Sequence, residues 1–224
     1  MRGPLRSALI SFGILALGAS IPSRAGVVTL TFDTFKDGES IGSYYNGGTG
    51  SMGSGPGPNE GVVFGPNAQA YNAGPNTNFA NNPSPPGILY FGAGTVTTMN
   101  VAAGFTSGLS FYYSTSNPNF PQSVQVYDGL DGTGNLLTSL NLPVTPTLTP
   151  PGTPDLNNWA LVGLNFGGIA KSVNFSGAAN YIAIDNLTLG AALPPVTVPE
   201  PSALAMAGLG CVGGLAFLAR RRAV

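Results

Sequence analysis

Residues 181–190 read YIAIDNLTLG. Apolar and β-branched residues alternate with others here and a glycine closes the run, which is the pattern of a short buried strand. Ile182 and Ile184 share one parity and Leu187 and Leu189 the other. Strand side chains change face at every residue, so a regular strand cannot turn all four inward. One extra residue at Asp185-Asn186 puts both pairs on the same face, so the stretch predicts a β-bulge that also re-aims Asp185.

The same rhythm recurs outward from this segment. VVTLTFD at 27–33 places Val28, Leu30 and Phe32 on one face and Thr29, Thr31 and Asp33 on the other. Further runs are GVVFG at 61–65, ILYF at 88–91, TVTTMNV at 95–101, LSFYYS at 109–114 and SVQVYDG at 123–129. LLTSLNL at 136–142, WALVGLNF at 159–166 and KSVNFSG at 171–177 complete the set. Short strands separated by Gly, Pro, Asn and Ser, with no helical periodicity, predict an all-β, two-sheet sandwich over 26–190. No internal repeat is visible, which argues against a propeller or solenoid. Three connections are long, at 46–61, 74–87 and 143–158. Each is either a binding loop or a mobile surface excursion, and their Gly, Pro and Asn content favours mobility.

Composition narrows the chemistry. Only 8% of the 224 residues are charged and no Lys/Arg stripe exists to neutralise phosphates, which argues against nucleic acid as a partner. Histidine is absent and the single cysteine is Cys211, so no intrachain disulfide forms. The usual Ser/His/Asp, Cys/His and zinc-hydrolase arrangements are excluded with them. Between 26 and 190 two lysines stand against eight acids, a net charge of -6 that favours solubility outside the cell.

The ends carry addresses. At the N-terminus, Arg2 and Arg6 precede an apolar stretch from Ser7 to Ile21, and Ser23-Arg24-Ala25 offers a cleavage point before Gly26. Residues 1–25 therefore read as a secretory signal peptide. At the other end Ala203 to Ala219 is uncharged, and at 1.5 Å per residue it reaches roughly 26 Å, enough to span a bilayer with help from its flanks. Arg220, Arg221 and Arg222 follow and hold this terminus in the cytoplasm by the positive-inside rule. Before it, in a segment that Pro199 and Pro201 keep extended, stands Glu200.

This order of Pro-Glu-Pro motif, apolar helix and arginine cluster over 198–224 closely resembles the PEP-CTERM sorting signal, with 191–197 as a linker. The resemblance implies recognition of Pro199, Glu200 and Pro201 by an exosortase, an inner-membrane-anchored precursor with Arg220 to Arg222 as the stop, and removal of the tail. It further implies a Gram-negative, exopolysaccharide-producing host and a final place at the cell surface or in the extracellular matrix.

The closing YIAIDNLTLG, with an opening strand that ends FDTF at 32–35, resembles jelly-roll carbohydrate-binding modules. That resemblance implies neighbouring first and last strands with a structural calcium beside them, for which Asp33 and Asp185 are the candidate oxygen ligands. The alternative is a pair of strand-end aspartates hydrogen-bonded to backbone. In YDGLDGTGNLL at 127–137, Asp128 and Asp131 lack the spacing of an EF-hand, and Asp-Gly and Gly-Asn predict a hairpin turn. Candidate glycan contacts are Tyr112, which points away from Phe111 and Tyr113, and Trp159, which is either a binding platform or a core residue; Tyr44, Tyr45 and Tyr71 are further candidates. The expected function is that of a non-enzymatic exported surface or matrix protein, and the narrower version makes its body an exopolysaccharide-binding module. The rival is a glycan-acting enzyme, since paired carboxylates such as Asp128 with Asp131 or Asp33 with Asp185 need no histidine.

Overall fold

The computed structural model describes residues 26–73, 77–116, 119, 122–148, 156–177 and 179–194. The expected signal peptide at 1–25 and the sorting tail, with Pro199 to Pro201 and Arg220 to Arg222, lie outside the described residues. Among the described residues there is no helix. The strands are β1 (Val28–Leu30), β2 (Glu39–Ser40), β3 (Val62–Phe64), β4 (Gln69–Asn72), β5 (Gly87–Tyr90) and β6 (Val96–Phe105). They continue with β7 (Gly108–Thr115), β8 (Gln122–Tyr127), β9 (Leu136–Leu142), β10 (Ala160–Asn165), β11 (Ala170–Ser176) and β12 (Ile182–Leu189).

Two antiparallel sheets face each other. One runs β10-β7-β12-β5-β4-β2 with β1 also on β12, and the other runs β3-β6-β11-β8-β9. Alternate residues of both fill a common core, including Leu30, Phe111, Ile184 and Leu187 from the first sheet and Met99, Val124 and Phe175 from the second. Phe111 and Phe175 meet across it edge to face, with centroids 5.7 Å apart and planes at 87°. All ten predicted strands are present. The two that the pattern did not predict, β2 and β4, are short and lie at one edge of the larger sheet.

The last strand behaves as its parity requires. Along β7 the register of β12 shifts between Asp185 and Thr188, and Asn186 takes a φ of 50°. Ile182, Ile184, Leu187 and Leu189 are each at most 1% exposed. β5 pairs with β12 before the bulge and β1 pairs after it, through Leu30 opposite Leu187 and Val28 opposite Leu189, so the first and last strands are neighbours. Phe32, at a φ of 65°, turns the chain away from β1 while its ring stays buried. Gly87 packs so closely on the Phe32 carbonyl that a Cβ there would overlap it.

The described parts of the three long connections are tied to the sandwich by hydrogen bonds and apolar contacts. The 46–61 loop closes on Glu39, which is 0% exposed. Glu39 Oε1 accepts from the Met52 and Ser54 amides at 2.7 and 3.0 Å. Oε2 accepts from the Lys36 amide at 2.9 Å and the Ser54 hydroxyl at 2.5 Å. Burial pushes this carboxyl up, but the four donors outweigh it and bring the pKa down to about 2. The described parts of the other two connections cross the outer face of the larger sheet, where Phe79 and Leu156 form a parallel bridge. There Phe79, Ile88, Tyr90, Leu156 and Ala183 make a second apolar cluster, with Tyr71, Ala73 and Trp159 against it. Composition alone does not register what the loop amides bond to.

Candidate functional site

Period two along β4, β5 and β12 sends Tyr71, Ile88, Tyr90 and Ala183 to the outer face of the larger sheet, while Ala70, Leu89 and Ile184 enter the core. The Tyr71 and Tyr90 rings meet edge to face at 5.1 Å, and Phe79 closes on both at 6.2 and 5.6 Å. Beside them opens a cleft of about 270 Å³. Its wall is Tyr71, Phe79 and Tyr90, and its polar rim is Asp37, Thr77, Asn78 and Asn180.

The rim is held in place. Asp37 Oδ1 accepts from the Asn72 amide at 2.9 Å. The Asn78 carbonyl accepts from the Leu156 amide at 3.0 Å, and the Tyr90 hydroxyl donates to Asn180 Oδ1 at 3.3 Å. Burial, with smaller contributions from Tyr71 and Tyr181, pushes the Tyr90 hydroxyl up to about 12, so it stays a neutral donor. Phe79 and Tyr90 are buried and Tyr71 is half-buried, whereas Asp37, Asn78 and Asn180 are exposed. The site presents one partly open aromatic edge ringed by amides and a carboxylate, an arrangement suited to holding a polyhydroxylated ring.

Asp33 and Asp185 come together on the 82–87 segment. Asp185 Oδ2 accepts from the Ser84 amide at 2.8 Å and from Asn82 Nδ2 at 3.3 Å. Its Oδ1 accepts from the Asn186 amide at 2.7 Å and from the Ser84 hydroxyl at 3.2 Å. Asp33 Oδ1 accepts from the Gly87 amide at 3.0 Å. Asp185 is fully buried, and desolvation raises its carboxyl to about 6 against those hydrogen bonds. The bulge thus aims Asp185 at the turn that begins β5.

Asp128 and Asp131 lie in the turn between β8 and β9. Asp128 accepts from the Asn135 side chain and amide at 2.8 and 2.6 Å, which hold its pKa below the usual range. Asp131 exchanges two hydrogen bonds with Asn100, at 2.6 and 2.8 Å. The two carboxylates are committed to different partners. Trp159 donates from Nε1 to the Ala80 carbonyl at 2.9 Å and packs against the second apolar cluster, supporting the segment that forms the cleft wall. Tyr112, opposite Leu161 and Asp185 in the ladders, is half-buried on the outer face. Tyr44 and Tyr45 are core residues, and the Tyr45 hydroxyl accepts from the Phe32 amide. Among the described residues no group of three or more acidic, histidine or cysteine side chains could hold a metal.

Neither Phe79 and Tyr90 as a wall nor Asp37 and Asn180 as a rim is foreseen in the sequence. Tyr71 alone stands among the aromatic candidates. The other residues reach the cleft only through the pairing of β4, β5 and β12 with the 77–80 segment.

Residues 197–222 match the PEP-CTERM protein-sorting motif. No curated protein matches the chain. Solved structures similar to it include a family 6 carbohydrate-binding module from Clostridium stercorarium in complex with cellobiose, at 18% identity over 58% of this chain and 86% of that one, with a TM-score of 0.35. A β-1,3-glucan binding family 6 module from Bacillus halodurans is 14% identical over 55% of this chain and 86% of that one, with a TM-score of 0.36. A variant of a family 29 carbohydrate binding module is 11% identical over 76% of this chain and all of that one, with a TM-score of 0.41. At these identities and scores the likeness assigns no ligand and no residue role here.

Proposed function

We propose that the protein is an exported, exosortase-processed cell-surface or matrix protein whose β-sandwich binds exopolysaccharide without catalysis. The match to a PEP-CTERM protein-sorting motif at 197–222 supports this reading; on it, the precursor passes through the inner membrane and its tail is released. The outer-face cleft, with an aromatic wall and hydroxyl-binding rim, supports the glycan part. Catalysis by paired carboxylates draws no support from the acids: Asp33 and Asp185 are engaged by loop donors, Asp128 and Asp131 hold a turn, and Asp37 stands alone on the cleft rim. The test is co-sedimentation of the mature protein with native exopolysaccharide from its host. Retention in the pellet at physiological salt is expected; a protein that stays in the supernatant contradicts glycan binding.

The carboxylates at which calcium is expected already accept hydrogen bonds, Asp185 from Ser84, Asn82 and the Asn186 amide and Asp33 from the Gly87 amide. We therefore propose that this clasp closes by hydrogen bonds alone. Thermal melting should give the same Tm with calcium and with chelator, whereas a rise with calcium would restore the ion.

A further inference from the structure

The cleft lined by Tyr71, Phe79, Tyr90 and Asp37 defines its ligand more closely than the carbohydrate-binding reading on which this step rests. We propose that it takes one neutral sugar residue, the end or a side branch of a polysaccharide chain.

Size sets the first limit. A volume of about 270 Å³ lies at or below the roughly 300 Å³ at which small-molecule pockets begin, so the cleft holds a single ring and not a run of them. Shape sets the second. The half-buried Tyr71 offers the apolar edge, while Asn78, Asn180 and Asp37 stand around it with donors and acceptors that ring hydroxyls match. Asp37 is already oriented by the Asn72 amide, so little ordering is lost when its carboxylate accepts hydroxyl donors.

Charge sets the third. Asp37 is the one charged side chain among the described residues that line the cleft, and Lys36 beside it is turned to the Met52 carbonyl at 2.6 Å. A uronate or sulfated residue would bring a second negative charge to Asp37 with no cation to meet it. Neutral sugars meet no such cost.

Position keeps the cleft clear of both ends of the sandwich. Tyr90 pairs with Ala183 near the start of β12, while the chain leaves the sandwich after Leu189, where Gly190 packs against Gly26. Six residues of strand separate the two points, roughly 20 Å at about 3.3 Å per residue. The cleft therefore lies away from both the mature N-terminus and the point where the chain leaves toward its tail.

The test uses the full chain in detergent, with saturation-transfer NMR and titration of methyl glucoside, methyl galactoside, methyl mannoside, glucuronate and galacturonate. At least one neutral glycoside should bind, and both uronates should be at least tenfold weaker. Asp37→Asn and Asn78→Ala, both at exposed positions, should weaken the neutral glycoside at least tenfold with unchanged melting, while Tyr127→Phe on the opposite sheet should not. Two results overturn the cleft while leaving exopolysaccharide binding intact. One is co-sedimentation unaffected by Asp37→Asn and Asn78→Ala; the other is loss of binding on Tyr112→Ala or Trp159→Ala with both cleft variants silent. Wild-type protein that ignores native polysaccharide and every glycoside overturns the carbohydrate-binding reading itself.

Discussion

Asp33 and Asp185 meet at one hydroxyl: Ser84 Oγ lies 3.4 Å from Asp33 Oδ2 and 3.2 Å from Asp185 Oδ1. The first strand end, the bulge of the last strand and the turn into β5 are thereby closed on one another. Asp185 is the buried member, with its pKa raised from 3.8 to about 6 by desolvation. A raised carboxyl means that the folded state binds more protons than the unfolded one between those values, so stability falls as pH rises from about 4 to about 6. Each tenfold difference in proton affinity between the two states is worth about 1.4 kcal/mol, which makes the loss about 3 kcal/mol. Urea melts at pH 4, 5, 6 and 7 should show this decline, and Asp185→Ala should lose the slope along with part of the stability.

Glu39 predicts the opposite limb. Its pKa is lowered from 4.5 to about 2, so its contribution is complete above pH 4.5 and is lost as pH falls toward 2. Glu39→Gln sets an amide NH₂ against N–H donors on one side of the carboxyl, a cost of about 1–3 kcal/mol. Acid titration followed by tyrosine fluorescence should show the low-pH unfolding limb in wild type and a flatter one in the variant. Wild-type stability from these two groups peaks near pH 4.

Two glycines separate global from local packing. A Cβ on Gly87 overlaps the Phe32 carbonyl inside the sandwich, so Gly87→Ala should lower stability by about 1–3 kcal/mol. A Cβ on Gly163 overlaps the Ala192 carbonyl, which belongs to the segment leaving the fold. Gly163→Ala should lift that segment, with new protease cleavage near 191–193 and little change in melting of the core.

What was legible in the sequence was whatever depends on parity. The break between Ile184 and Leu187 announced the bulge, alternation located ten strands, and the Asp-Gly and Gly-Asn signals placed Asp128 and Asp131 in a turn. Glu39 was not legible, because three of its four donors belong to Met52 and Ser54, on a loop whose path only the fold defines. The cleft was hidden for the same reason: Asp37, Tyr71, Phe79, Tyr90 and Asn180 come from five separate segments with no shared spacing. Trp159 shows the limit from the other side, since a lone tryptophan after a loop reads as platform or support, and it is the fold that places it against the cleft wall, by its bond to Ala80 and its packing on the second apolar cluster.

The decisive measurement is the intact mass of the mature protein made in an exosortase-bearing host. A mass lacking the first 25 residues and the tail beyond about residue 200 is predicted, since cleavage is expected at the N-terminal small-residue site and near the Pro-Glu-Pro motif. A product that keeps Ala203 to Val224 would contradict sorting and leave a permanently anchored protein whose Pro199-Glu200-Pro201 is only a spacer.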